Sequence, residues 1–221
     1  MSEKAARQSL VRLSRTLFER GYSVGSAGNI SVAIEDGLLI TPTNACLGFL
    51  EEERICKLDH QGRHLSGDLP SKEIFLHRAF YATRPSTGAV VHLHSTYATV
   101  LSCLPDIDPE NCIAPLTPYV VMRVGKVRLL PYVRPGDPAM GEMIRELEGR
   151  HAAVLLANHG SVVAGKDLES AVYAAEELEE TAKLLFLLQD RQPRLLTPEQ
   201  VDELVRRNPL NARSRTDEPR G

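Results

Sequence analysis

The sequence predicts an α/β domain in which helices cover both faces of a sheet with antiparallel parts. Three observations carry this prediction. Helical apolar spacing alternates along the chain with short β-branched runs, so helices and strands are interleaved. Asp36-Gly37 sits between two such runs as a hairpin turn, which makes part of the sheet antiparallel and disfavours a doubly wound parallel sheet. The chain has 221 residues, 43% of them apolar, enough for one packed core.

The elements follow in order. A first helix over 3–20 carries Leu10, Leu13, Leu17 and Phe18 and stops at Gly21. Ile30, Val32 and Ile34 alternate into the hairpin, whose return strand covers 38–41. A short strand is expected at 55–58, followed by a polar turn, DHQGRH, that holds His60 and His64. Pro70-Ser71 opens a helix to about 83, with Ser71 as N-cap or in the first turn. Residues 88–94 read as a buried strand, and Ser95 or Thr96 starts a helix to about 103. Pro105, Pro109, Pro115 and Pro118 mark a long excursion. A strand at 127–132 and a helix at 138–147 come next. Strands at 152–157 and 161–164 bracket the turn Asn158-His159-Gly160. Asp167 caps a long helix to about 189, with Leu168, Ala171, Val172, Ala175, Leu178, Ala182 and Leu185 on one face. Its EELEE run reads as solvated, with Glu179 four residues before Lys183. A last short helix covers 198–207. From Arg206 on, five Arg and two acidic residues with little to bury predict a frayed or disordered tail.

Composition excludes several partners. The formal net charge is −3, aromatics are 5% and Trp is absent, so neither a nucleic-acid footprint nor a base-stacking platform is expected. No apolar run approaches the roughly 18 residues of a membrane span. The start, MSEKAARQSL, lacks the apolar core of a secretory signal. The four cysteines form no C-x-x-C pair and read as reduced, mostly buried thiols of a cytoplasmic protein.

The chemistry begins at His92-Leu93-His94. On a strand, residues two apart face the same side, so both imidazoles can share one ion. His159 stands in a turn at the end of an apolar strand, where Gly160 allows close backbone approach. Glu73, at the start of a helix, completes a possible set. Three neutral imidazoles and a carboxylate suit Zn²⁺ best, with Fe, Co or Mn also compatible. His77, four residues after Glu73 on the same helix face, could be a ligand or a partner behind one. Three turns, 26–29, 41–44 and 71–72, offer hydroxyl and backbone N–H donors. The last lies at a helix N-terminus beside Lys72, where an anion is favoured. No P-loop or dinucleotide fingerprint is present.

The ordered stretches GSAGNIS, ITPTN, SGDLPSKE, AVVHLHS and LLANHG resemble the class II aldolase family, over about residues 5–190. That family includes fuculose-phosphate aldolase, ribulose-phosphate 4-epimerase and the adducin head domain. The resemblance implies a three-layer α/β/α sandwich with a mixed, largely antiparallel sheet. It also implies a homotetramer with active sites at subunit interfaces. Residues 1–194 are then the catalytic domain and 195–221 a short helix and tail. The family's metal ligands fall on Glu73, His92, His94 and His159. Its phosphate site falls on Gly28, Asn29, Thr43, Asn44, Ser71 and Lys72. Sugar aldolases usually carry Gly and Ser at the positions of Asn44 and Lys72, which implies a different substrate here.

HLHSTYATVLSCL, PLTPYVVMRVG and PYVRPGDP resemble one branch, the bacterial 3-oxo-tetronate 4-phosphate decarboxylases. That branch implies loss of CO₂ through a metal-bound enediolate, giving dihydroxyacetone phosphate, with Zn²⁺ as cofactor and a small phosphorylated acid sugar as partner. Glu73 is implied as the acid/base. Tyr119 is implied as a donor or orienting group acting across the interface. The rival expectations are a sugar-phosphate aldolase or epimerase and a non-catalytic adducin-like module.

Overall fold

The computed structural model describes residues 2–208. Eight strands form one sheet: β1 (Asn29–Ile34), β2 (Gly37–Ile40), β3 (Cys56–Leu58), β4 (His64–Ser66), β5 (Ala89–Leu93), β6 (Val127–Leu130), β7 (Ala153–Leu156) and β8 (Gly160–Gly165). Their order is β4-β3-β2-β1-β5-β8-β7-β6. Every described pairing is antiparallel except β6 with β7, so the mixed, largely antiparallel sheet is present as expected.

Alternation along the strands assigns the two faces. Ile30, Val32, Ala89, Val91, Leu93, Leu155 and Val163 pack on one side against helices α1 (Glu3–Glu19), α3 (Thr96–Ser102), α4 (Pro118–Arg123) and α6 (Leu168–Leu187). Val90, Val154, Leu156 and Val162 pack on the other against α2 (Ile74–Thr83) and α5 (Ala139–Glu146). Each of these valines, leucines and isoleucines, once fully buried, stabilises the fold by about 1.5–3 kcal/mol. The result is a three-layer sandwich. The final helix, α7 (Pro198–Arg207), starts in a capping box of Thr197 and Gln200 and packs on α4. Arg206 and Arg207 belong to its last turn. Asn208 caps that helix, and residues 209–221 of the predicted tail lie outside the described residues. No helix among the described residues is long and apolar enough to cross a membrane.

The structure corrects several expectations. The polar turn after β3 leads into a strand, β4, whose three residues are all exposed. The Pro-rich excursion holds helix α4, which Thr117 caps and Pro118 opens. Helix α2 begins at Ile74, not at Ser71, so Ser71 and Lys72 lie in the turn before it. Glu179 is not solvated: only 7% exposed, it caps α3 from outside. It accepts from Ser95 Oγ (2.7 Å), Tyr97 N (2.8 Å) and Ala98 N (2.8 Å). Lys183 lies instead over the Tyr97 ring. All four cysteines are free, but only Cys56 and Cys112 are buried, and Cys103 is exposed. Burial pushes the Cys56 thiol up to about 11 and the Cys112 thiol to about 12, so both stay protonated at neutral pH.

Candidate metal centre

The centre forms where three elements end together. His92 is the fourth residue of β5 and faces the α2 side, in register with Asn29 of β1 and Val162 of β8. His94 follows one residue after the strand ends. His159 sits in the three-residue loop between β7 and β8. That loop is closed by Asn158 in the left-handed region (φ 57°), which Asn tolerates better than most side chains. Gly160 after it has no room for a side chain, because a Cβ would stand 2.3 Å from the Leu93 carbonyl oxygen. Glu73 stands at the cap position of α2.

The four ligand atoms of Glu73, His92, His94 and His159 all lie within 4.8 Å of one another. His94 Nε2 is 3.0 Å from His92 Nε2. Glu73 Oε2 is 3.3 Å from His92 Nε2, and Glu73 Oε1 is 3.5 Å from His159 Nε2. Tetrahedral zinc with bonds of about 2.0–2.1 Å requires ligand-to-ligand edges of about 3.3–3.4 Å. The rings pack edge-on with interplanar angles of 66–83°.

Protonation fits the same group. His92 Nδ1 lies 2.8 Å from the Ser161 carbonyl, which can only accept, so Nδ1 carries a hydrogen and Nε2 is the ring atom turned to the centre. Burial, helped by the neighbouring His92, pushes His94 down to about 3 and His159 to about 4, so both are neutral at pH 7. Burial alone would raise Glu73. The hydrogen bond and charge of His92, the Asn29 amide and the charge of His159 more than reverse this and hold the carboxyl well below its usual range. Neutral imidazoles and an anionic carboxylate are the ligand forms that a divalent cation needs.

His77 is not part of this group. It is fully buried on α2, with Nε2 2.5 Å from Asn29 Oδ1 and Nδ1 2.8 Å from Ser31 Oγ. Asn29 in turn donates from Nδ2 to Glu73 Oε2 (2.9 Å). The amide expected at the phosphate site is therefore committed to the carboxylate, with one N–H left over. Sequence reasoning missed Asn29 in this role; its signal was the two-residue spacing to Ser31 on the strand that pairs with His92. His60, His64 and His151 are tied to backbone carbonyls elsewhere.

Two of the three polar turns meet beside the centre. A bridge joins Pro42 to Pro70, and Thr43 N donates to the Leu69 carbonyl (3.1 Å), so Thr43 and Asn44 lie alongside Ser71 and Lys72. Ser71 Oγ accepts from Glu73 N (3.3 Å). Lys72 and Asn44 are exposed. Gly28 supplies the third turn. Its φ is +80°, and a Cβ there would stand 2.8 Å from the His92 carbonyl, so no larger residue fits against the ligand strand. Tyr119 stands apart on α4, 55% exposed, with Arg123 over its ring.

An α/β sandwich that gathers three imidazoles and one carboxylate at its strand ends has a donor set that could hold a divalent metal ion. The chain belongs to the class II aldolase family: the family described as Class II Aldolase and Adducin N-terminal domain matches residues 8–186. It is 53% identical over 204 residues to the 3-oxo-tetronate 4-phosphate decarboxylase of Pectobacterium atrosepticum, covering 92% of this chain and 94% of that protein. It is 34% identical over 178 residues to an L-fuculose phosphate aldolase of Methanococcus maripaludis, covering 80% and 94%. The crystal structure of YgbL from Klebsiella pneumoniae matches with a TM-score of 0.90 and 51% identity, covering 92% of this chain and 99% of that one.

Proposed function

We propose that this chain is a cytoplasmic, metal-dependent carboxy-lyase that converts 3-oxo-tetronate 4-phosphate to dihydroxyacetone phosphate and CO₂. The carrying observation is the 53% identity along nearly the whole chain to a decarboxylase of that name, against 34% to a fuculose-phosphate aldolase. The complete donor set argues against a purely structural module, which has no use for one.

Glu73, His92, His94 and His159 would hold the ion, with Zn²⁺ the best match to three imidazoles and a carboxylate. When bound, it supplies Lewis-acid stabilisation of the charge left on adjacent substrate oxygens as CO₂ departs. The residues of the chain do the rest. Thr43, Asn44, Ser71, Lys72 and the Gly28-Asn29 turn hold the phosphate through hydroxyl, amide, ammonium and backbone donors. Glu73 moves the proton to C2. Its Oε2 accepts from Asn29, which leaves Oε1 to carry that proton. Tyr119, exposed on α4, reaches a neighbouring subunit's site in a homotetramer and orients or protonates the substrate there.

The test is to incubate the purified protein with 3-oxo-tetronate 4-phosphate, with and without added Zn²⁺, and to assay CO₂ and dihydroxyacetone phosphate. Both products are expected in equal amounts, and only with the metal. Aldehyde release from a ketose 1-phosphate without decarboxylation would overturn the reading in favour of an aldolase.

A further inference from the structure

Glu73, His77 and Tyr81 are spaced by four, so they lie along one side of α2 and the turn that precedes it. Asn29 and Ser31 are spaced by two, so they share the face of β1 turned toward that helix. The two rows interlock as a single chain of contacts. Tyr81 OH is 2.9 Å from Ser31 Oγ, and Ser31 Oγ is 2.8 Å from His77 Nδ1. His77 Nε2 is 2.5 Å from Asn29 Oδ1, and Asn29 Nδ2 is 2.9 Å from Glu73 Oε2. His77 is wholly buried and Ser31 is too, so water does not complete these bonds.

The direction of every proton in this chain follows from its end. Glu73 is a carboxylate and can only accept, so Asn29 must turn its NH₂ toward it and its carbonyl toward His77. The opposite amide orientation would set two oxygens against each other. His77 must then donate from Nε2. Burial holds its ring neutral, pushing it down to about 3, so Nδ1 is left as an acceptor. Ser31 must donate to Nδ1, and its oxygen in turn accepts from Tyr81. Burial raises the Tyr81 phenol, which keeps that last proton in place.

We propose that Tyr81, Ser31, His77 and Asn29 form a one-way hydrogen-bond relay, in which His77 is a positioning residue that aims the Glu73 carboxylate into the metal centre. Five polar side chains inside a packed interface are thereby all satisfied in one arrangement and in no other. The relay fixes Oε2 as a permanent acceptor and holds the carboxylate against His92. It rests on the reading of Glu73 as a ligand.

The first measurement is nitrogen NMR on the full chain as purified, labelled in histidine. His77 is expected as the Nε2–H tautomer at pH 7.5. Glu73→Gln removes the charge that sets the direction, so the Nδ1–H form should become populated. The second is zinc affinity by competition with a chelator. Ser31→Ala and His77→Leu should weaken it about 10–100-fold, the range for groups that orient ligands. His77→Gln, whose amide N–H lies near the Nε2 position, should recover most of the loss. A merely structural role would lower the melting temperature of all three without separating Gln from Leu. A parent protein with the Nδ1–H tautomer would overturn the relay. So would folded Ser31→Ala and His77→Leu proteins that bind zinc within twofold of the parent. If the parent itself bound no zinc, the metal reading would fail instead, and the tautomer alone would decide the relay.

Discussion

At the centre each imidazole is held in its own way, and the hold differs from residue to residue. The Ser161 carbonyl holds Nδ1 of His92 and so orients its ring. His159 is held through its backbone, where Thr99 Oγ1 donates to its carbonyl (3.3 Å), and its Nδ1 is buried without a partner. His92→Ala should therefore abolish stoichiometric zinc and lower kcat at least about a hundredfold, several kcal/mol of lost charge stabilisation, while circular dichroism stays unchanged. An active, zinc-loaded His92→Ala protein would rule out the ligand assignment. Lys72 is different in kind. It is exposed and offers a charge to a group that does not react, so Lys72→Ala should raise KM about tenfold and leave kcat nearly alone. Unchanged constants would remove Lys72 from the phosphate site. The clustering of these imidazoles was legible in sequence because period-two spacing and a glycine turn are local signals. The commitment of Asn29 to Glu73 was not, because it depends on β1 and α2 facing each other, 44 positions apart.

Helix α6 shows where element-level reading stops. Its apolar face was plain from the spacing, yet its acidic run carries three separate ties. Glu176 pairs with Arg20, the residue that caps the C-terminus of α1, Glu177 with Arg123 of α4 (3.7 Å), and Glu179 receives the N-terminus of α3. A signal for Glu179 was present: Ala175 precedes it by four and Ala182 follows by three, both on the buried face. Acid runs usually face water, and that expectation prevailed over the spacing. Strand β4 was missed because three exposed residues carry no burial pattern. Helix α4 was missed because six residues that open on a proline barely show a helical period. The α3 cap matters functionally, since Ser95 directly follows His94. Glu179→Ala leaves a hydroxyl and two helix N–H groups buried without acceptors, at a cost of about 2–4 kcal/mol. The melting temperature should fall by about 5–15 °C. Glu179→Gln, which keeps one acceptor, should lose less. A melt within 2 °C of the parent for Glu179→Ala would show that the cap contributes nothing.

Over the whole molecule these buried groups set how stability depends on pH. His77 and His94 take a proton in the fold only near about 3, and His159 near about 4, whereas an unfolded histidine does so near 6.5. Between those values the unfolded chain binds more protons than the folded one, so stability must fall as pH falls. Above pH 7 the difference vanishes and stability is flat from this source. Glu73, depressed in the fold, adds to the loss below its unfolded value of 4.5. Cation binding steepens the decline, because protons and the ion compete for the same imidazoles. The urea midpoint of the chelator-treated protein should thus be constant from pH 8 to 7 and drop steadily toward pH 4.5. With saturating Zn²⁺ the midpoint should start higher and fall more sharply over the same interval. His77→Gln removes one buried imidazole that touches no ion, so it should flatten the metal-free slope while leaving the zinc-dependent increment in place. A metal-free midpoint that stayed level from pH 7 to 4.5 would mean that these histidines are protonated in the fold as easily as outside it, and that the interior which keeps them neutral does not do so.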